Sequence, residues 1–442
     1  MDSLLRDLPD YLAWANGLAL PAVRDNETAE LVRSKENSAH FEHGSAENIG
    51  MDSETILLRI MREHWPSVEA LLKKALPPAV FESVRSNVAK ALACRTDANG
   101  FACFVCEDCA ARHRVFFTCK SRCCPTCGKI RAAEGAVKAQ SRLLNVQHQH
   151  LTFSVPSELR GLLYNDRSLL AVVAKAAATA TITAMGTRCK AFAPLPGIML
   201  TVHTYGRDLT FHPHVHVLVT RGGLRADGVW QPIKLYPAAQ YRRLWQYYLL
   251  KFLRKKLRHQ LGPYRMIGSL YNKYPTGFIV NVMSWYRSGK KAAAYLCRYT
   301  GRPPLSERRI VAYDGKRVTI AYADYRDGQN KELTLSAARF LLRLLQHAWP
   351  RYMRDVHYYG LYQPSRRKAK AQAVAGASKY RDQVLPIREL SRRERLIVAL
   401  NEKPKTCPAC GGRLLFEELV LPRDIHVQKS KTQQARQLCL SM

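Results

Sequence analysis

Three histidines alternate within five residues, at His212, His214 and His216 of the run FHPHVHVLVT. An extended strand sends alternate side chains to one face, so these imidazoles share a side, about 6.6 Å from one to the next, while Val215 points the other way. Imidazoles so arranged can close on one metal ion. A lone histidine at a strand edge needs only a hydrogen bond; three in alternation point to a ligand set. His214 and His216 do not suffice for an ion that must also grip a phosphate. A third ligand is therefore expected, either His212 itself or a side chain from a neighbouring element such as His203.

About eighty residues later, KAAAYLCRYT places Tyr295 and Tyr299 one helical turn apart. On a helix they are separated by about 40° and about 6 Å of rise, so both hydroxyls face one side. That spacing alone fits an aromatic pair packed in a core just as well. Lys291, one turn before Tyr295, extends the stripe, and a phenol of pKa near 10 needs a nearby cation to act as a nucleophile at neutral pH. Arg298 and Arg302 flank it with groups suited to phosphate. A metal that polarises a phosphate, beside one or two tyrosines, can cut and rejoin DNA through a phosphotyrosine link.

The charge balance agrees with that chemistry. The 442 residues carry 69 Lys plus Arg against 35 Asp plus Glu, a net charge of +34. The excess is spread through KFLRKKLRHQ, the RRKAKAQ stretch and SRRERL. A field of this kind favours a polyanion held by phosphate contacts, and no amphipathic anchor supports a membrane surface instead. No uninterrupted apolar run is read as long enough to span a bilayer. Asp2, Asp7 and Asp10 stand where a secretory signal carries positive charge, which predicts a cytosolic protein. In that reducing compartment 13 cysteines imply metal or burial rather than disulfides.

Eight of those cysteines fall between Cys94 and Cys127. Cys106 and Cys109 form one C-x-x-C, Cys124 and Cys127 another, and two such knuckles supply four thiolates to a tetrahedral structural zinc. Lys120, Arg122 and Lys129 around them are candidate DNA contacts. Cys94, Cys103, Cys119, Cys123 and His113 are left over, enough for a second site whose ligands spacing does not select. Cys407-Pro-Ala-Cys410 is half of another knuckle pair, with His426 and Cys439 as the downstream candidates to complete it.

The elements that must position these groups follow from periodicity. Residues 1–50 are polar and weakly patterned, an expected disordered extension. Met-Asp-Ser occurs at Met1 and again at Met51, and compact patterning begins only after the second, which marks Met51 as the expected functional start. Residues 51–93 read as helical, with breaks at Trp65-Pro66 and Pro77-Pro78. The cysteine-rich domain is assigned to 94–145 and a catalytic domain to 146–363. Within the latter, HLTFSVP, GIMLTVHTY, HPHVHVLVT and GFIVNVM read as strands, followed by the tyrosine helix from about Ser288. A hairpin turns at Asp314-Gly315, and a helix runs from Ser336 to Ala348. Residues 364–442 read as a basic linker and tail with the possible zinc half-site.

The order of these motifs, a cysteine ribbon ending in CKSRCCPTC, then HLTFSVP, HTYGRDLTFHPHVHVLVTRGGL and YLCRYTGR, resembles the two-tyrosine, HUH-type rolling-circle transposases of bacterial insertion sequences, narrowly the insertion sequence ninety-one family. The resemblance covers about Glu54 to Gln363. Family members usually carry histidine where this chain has Cys123, a change that keeps a metal-capable side chain. The resemblance implies an α+β fold, an HUH-endonuclease-like central antiparallel sheet with packed helices, preceded by a small zinc ribbon. It implies His214 and His216 as the metal pair, Mg2+ or Mn2+ as the catalytic ion and Zn2+ as the structural one. Tyr295 and Tyr299 would be the two nucleophiles. The partner would be single-stranded DNA of transposon ends and target, in the bacterial cytoplasm at the nucleoid, with host proteins unwinding the duplex since no GxxxxGK[ST] loop is present. A relaxase or replication initiator would use the same chemistry at an origin. A zinc-ribbon regulator would leave HPHVH and YLCRY without a task, and no spaced basic triad of a tyrosine recombinase is found.

Overall fold

The computed structural model describes residues 55–140, 142–188, 194–233, 237–287, 292, 304–324, 327–350, 353–354, 356–366, 369 and 406–421. The N-terminal extension, the Met51 start, Lys291, Tyr295, Arg298, Tyr299, Arg302, His426 and Cys439 lie outside them.

Helix α1 (Ile56–Ala75) starts at Thr55, whose hydroxyl accepts from the Leu58 N–H at 3.4 Å. It runs through Pro66, where the sequence predicts a break. Pro66 is on the exposed side, so the Arg62 carbonyl that loses its intrahelical donor can turn to water, and Ser67 Oγ donates to the His64 carbonyl at 3.0 Å. Helix α2 (Pro78–Leu92) opens with proline at its first position, where the missing N–H costs nothing. Strands β1 (Phe101–Cys106) and β2 (Arg112–Phe116) form a hairpin, followed by α3 (Pro125–Gln140).

The chain continues with β3 (His148–Ser154), α4 (Ser157–Asn165), α5 (Leu169–Arg188), β4 (Gly197–Tyr205), β5 (Phe211–Thr220), β6 (Gly222–Leu224) and β7 (Trp230–Pro232). After α6 (Ala238–Lys256), α7 (Leu261–Lys273) and β8 (Val280–Tyr286) come β9 (Ile310–Tyr313), β10 (Arg317–Ala323), β11 (Asn330–Ser336), α8 (Ala337–Leu345) and β12 (Val356–Gly360). The last described strand is β13 (Leu414–Val420). Strands β3, β4, β5 and β8 and the β9/β10 hairpin overlap the segments read as strands, including the Asp314-Gly315 turn, where Asp314 Oδ1 accepts from the Lys316 and Arg317 N–H groups. Helices α4 to α7 have no counterpart in the sequence reading. Helix α5 also corrects the expectation of no membrane-length apolar run, since Leu169–Gly186 is long and apolar enough to cross a bilayer. It is instead a core helix, 61% buried over that window and packed between the sheet and α6.

Five antiparallel strands in the order β12-β4-β5-β3-β8 form the central sheet. Its register sorts the side chains by chemistry. One face carries Leu151 and Phe153 of β3, Ile198, Leu200 and Val202 of β4, and Val215, Val217 and Val219 of β5, all buried in the main core. Helices α5 and α6 cover this face. The other face carries His148, His150 and Thr152, Thr201 and His203, and His214 and His216. Helix α1 docks on α8, which ties the N-terminal helices to the region of the central sheet.

Candidate active site and metal centres

Strand register brings His203, His214 and His216 together, with one ring nitrogen of each within 4.8 Å of the others. His203 sits directly opposite His214 across the β4/β5 ladder. Of the two candidates for third ligand, the structure brings His203 rather than His212 into the cluster. Along one strand, same-face neighbours are about 6.6 Å apart, whereas directly opposed residues on adjacent strands bring their Cβ atoms to about 5 Å. A cross-strand neighbour therefore outcompetes the in-strand one. His212 keeps its place on the face, its ring centroid 5.7 Å from that of His214, but outside the cluster.

The tautomers fall out of the hydrogen bonds. His214 Nδ1–H donates to the His212 carbonyl at 2.8 Å, which leaves its Nε2 bare. His216 Nδ1 lies 3.0 Å from His150 Nε2 and 3.4 Å from Thr152 Oγ1, and a proton held on Nδ1 by either would bare His216 Nε2 as well. The two Nε2 atoms are 3.2 Å apart. Bare lone pairs at that distance repel unless a cation lies between them. Nitrogens about 2.1 Å from a common ion would subtend about 100° over this span, an ordinary coordination angle. Burial is the main cause that lowers the pKa of His214, His216 and His150, the last to about 4. The imidazoles stay neutral, as ligands must be. Three nitrogens leave positions for substrate oxygen, so the donor set fits a catalytic ion.

His150 was not singled out from sequence. Its ring stacks on His216 at 5.3 Å and orients it, the supporting role an outer partner plays for a metal-bound imidazole. The signal was present in HQHLTF, which alternates histidines on β3 as HPHVH does on β5. Tyr205 stacks on His203 at 5.1 Å from the other side. The loop between β4 and β5 is held by α8 and the residues after it. Gln346 Nε2 and His347 Nε2 both donate to the carbonyl of Leu209, a buried residue with φ of 65°.

The thiolates group differently from the sequence expectation of one site from Cys106, Cys109, Cys124 and Cys127. Cys124 and Cys127, at the start of α3, converge with Cys94 and Cys119. Cys106 and Cys109 converge with Cys407 and Cys410 instead, with Cys106 Sγ 3.5 Å from Cys410 Sγ. The cause is strand pairing: β13 adds to β1 antiparallel, Cys106 opposite Leu414, and brings the CPAC loop to the same end of the sheet as the first knuckle. The half-site is thus completed by residues about 300 positions upstream in sequence (a separation of 298 from Cys109 to Cys407), not downstream. His113 Nε2, 3.2 Å from Cys407 Sγ, is placed to donate to it. Cys123 is buried and joins neither group; burial pushes its thiol up to about 12. Of the expected DNA contacts, Lys120 is exposed, whereas Arg122 is half-buried and donates to the Met353 carbonyl at 3.2 Å.

Ala292 is the described residue of the tyrosine segment. It is fully buried in a cluster with Met199, Leu218 and Tyr362, and both Met199 and Leu218 are on the histidine face of the sheet.

The comparisons with known proteins place this histidine-lined antiparallel sheet and its thiolate domain in the transposase class. Residues 197–370 match the family described as putative transposase, and residues 60–155 match the transposase zinc-binding domain. The transposase for insertion sequence element IS801 of Pseudomonas savastanoi pv. phaseolicola is 30% identical over 359 residues, which span 74% of this chain and 82% of that one. A putative transposase, y4qJ, of Sinorhizobium fredii is 26% identical over 285 residues, 60% of this chain and 71% of its own. No solved structure matches. The chain belongs to the insertion sequence ninety-one family of transposases, with an N-terminal zinc-binding domain and DNA as its partner.

Proposed function

We propose that this transposase nicks one DNA strand at the ends of its element and transfers it through 5′-phosphotyrosine intermediates. The observation that carries the reading is the convergence of His203, His214 and His216 on a sheet face where Ala292, three residues before Tyr295, is also buried. These imidazoles would hold a divalent ion, Mg2+ or Mn2+, which supplies Lewis-acid polarisation of the scissile phosphate. The phenol oxygen of Tyr295 or Tyr299 attacks phosphorus and gives up its proton, the P–O3′ bond breaks, and the departing 3′ oxygen takes a proton. The strand stays joined by its 5′ phosphate, and the 3′ hydroxyl is free to prime synthesis. Lys291 favours the phenolate by charge, while Arg298 and Arg302 grip the flanking phosphates. The second tyrosine makes a second cleavage without releasing the first strand, so transfer proceeds without hydrolysis or external energy.

The test is a denaturant-resistant adduct on single-stranded DNA of the element's ends. Changing both Tyr295 and Tyr299 to Phe should abolish it with DNA binding intact, and His214→Ala should abolish it in magnesium. Adduct formation that survives either change refutes the corresponding assignment.

A further inference from the structure

The helical layer carries a second constellation, on the side of the sheet away from the histidines. Helix α6 buries Tyr241, Trp245, Leu249, Leu250 and Leu253 against the core. Its opposite stripe presents Tyr247, Lys251 and Arg254, spaced four and three residues apart on one side of the helix, and Arg258 follows in the turn just past its C-terminus. Helix α7 faces it with Tyr264 and Tyr271, two turns apart, and between them Gly268 has open space where a side chain would stand. Together with Lys255 these residues line a groove of about 470 Å³.

Its chemistry is one-sided. The 36 residues 238–273 contain nine Lys or Arg, of which Lys273 is paired with Glu158 of α4, and no Asp or Glu occurs in the sequence between Asp227 and Glu307 or among the groove's lining residues. An ordinary solvated face mixes both signs, since clustered cations repel one another. Here the tyrosines hold the cations in place: Arg254 Nη2 donates to Tyr264 Oη at 2.6 Å with its guanidinium 4.3 Å from that ring, and Lys251 donates to Tyr247 Oη at 3.1 Å. The rings of Tyr247 and Tyr271 are 44% and 38% exposed. Cations aligned beside open aromatic faces match a nucleic acid strand whose bases are unpaired, because a duplex hides the faces that would stack.

We infer that the α6/α7 groove is a binding site for single-stranded DNA, separate from the nicking centre. Lys251, Lys255 and Arg258 take phosphates, and Tyr247 and Tyr271 take bases. The edge strand β8 packs against α6 and marks a path toward the histidine face. On it Trp285 is 44% exposed with the Arg221 guanidinium 5.0 Å from its ring, a further stacking platform. The inference rests on the single-strand reading above, but its test needs no cleavage.

The full chain is titrated into a fluorescent oligothymidylate and anisotropy is followed over a range of salt. Tyr247→Ala with Tyr271→Ala should weaken binding at least tenfold, given the worth of one base–aromatic stack. Lys251→Gln with Arg258→Gln should flatten the slope of log affinity against log salt by about 1.4, at about 0.7 per phosphate contact on single strands. Circular dichroism checks that the exposed substitutions leave the fold intact. Unchanged affinity and slope in both variants, or equal binding of duplex that the tyrosine changes do not affect, overturns the inference. Failure of the nicking chemistry would show instead as absent adducts on a denaturing gel with anisotropy unaltered.

Discussion

Replacing Cys407 and Cys410 with Ser isolates the long-range thiolate centre. Apart from its ladder with β1, the Arg112–Glu417 ion pair at 2.7 Å and the Phe104–Phe416 edge contact, strand β13 has no core to hold it: Phe416 and Leu419 are 60% and 54% exposed. Against that stands the cost of closing the chain from Cys109 to Cys407, a separation of 298 residues. Loop-closure entropy puts this at about 5 kcal/mol, an upper figure because most of the intervening chain folds on its own. Zinc held by four thiolates contributes about 10–16 kcal/mol in small domains, enough to exceed that cost. With half the ligands gone the balance reverses. Bound zinc should fall from two ions per chain to one by atomic emission, and amide protection over Leu414–Val420 should vanish while β3 to β5 keep theirs. The Cys94, Cys119, Cys124 and Cys127 centre should persist, since it sits in the main core beside Val84 and Val88. Retention of two zinc ions, or of protection in β13, would refute the pairing of Cys106 and Cys109 with the CPAC loop.

Calorimetry with the divalent ion proposed for the histidine cluster should separate three histidines: His203→Ala should weaken binding beyond the ten- to hundredfold expected for His150→Ala, an orienting partner, and His212→Ala should do less than either. Because all three donors are imidazole nitrogens, Mn2+ should bind at lower concentration than Mg2+, and the reverse order would point to missing oxygen ligands. Burial lowers His148 to about 4 and His347 to about 3, so between there and pH 6.5 the unfolded chain binds more protons than the folded one. Stability should therefore rise with pH across that window and be lost as pH falls, by about 3 kcal/mol for His148 alone, measured by denaturant unfolding. Tyr362→Phe removes a hydroxyl that donates to His148 Nε2 at 2.7 Å and accepts from the Leu144 N–H at 3.1 Å. Leaving both buried groups unpaired should cost about 2–4 kcal/mol, and a loss below 1 kcal/mol would show that the network does not form.

What could be read from the chain and what could not divides along one physical line. Period-two alternation located β3, β4, β5 and the Asp314-Gly315 hairpin because each is a local pattern, and the same alternation put His214 and His216 on one face. Helix α5 escaped for a related reason: it is apolar on every side, as a helix enclosed by sheet and neighbours must be, and so shows no amphipathic stripe to find. Ligand choice is where locality fails. His203 and His212 are equally good imidazoles, and only the register that sets His203 opposite His214 decides between them. The cysteines repeat the lesson at longer range, since any two C-x-x-C knuckles can complete a tetrahedron and spacing favours the nearer one. Strand β13, nearly featureless in burial, is what delivers Cys407 and Cys410 to Cys106 and Cys109. The candidate metal sites of this transposase are therefore products of strand pairing, and a substitution that shifts the register of β4 against β5 by one residue would turn His203 to the other face and dismantle the cluster without touching its side chains.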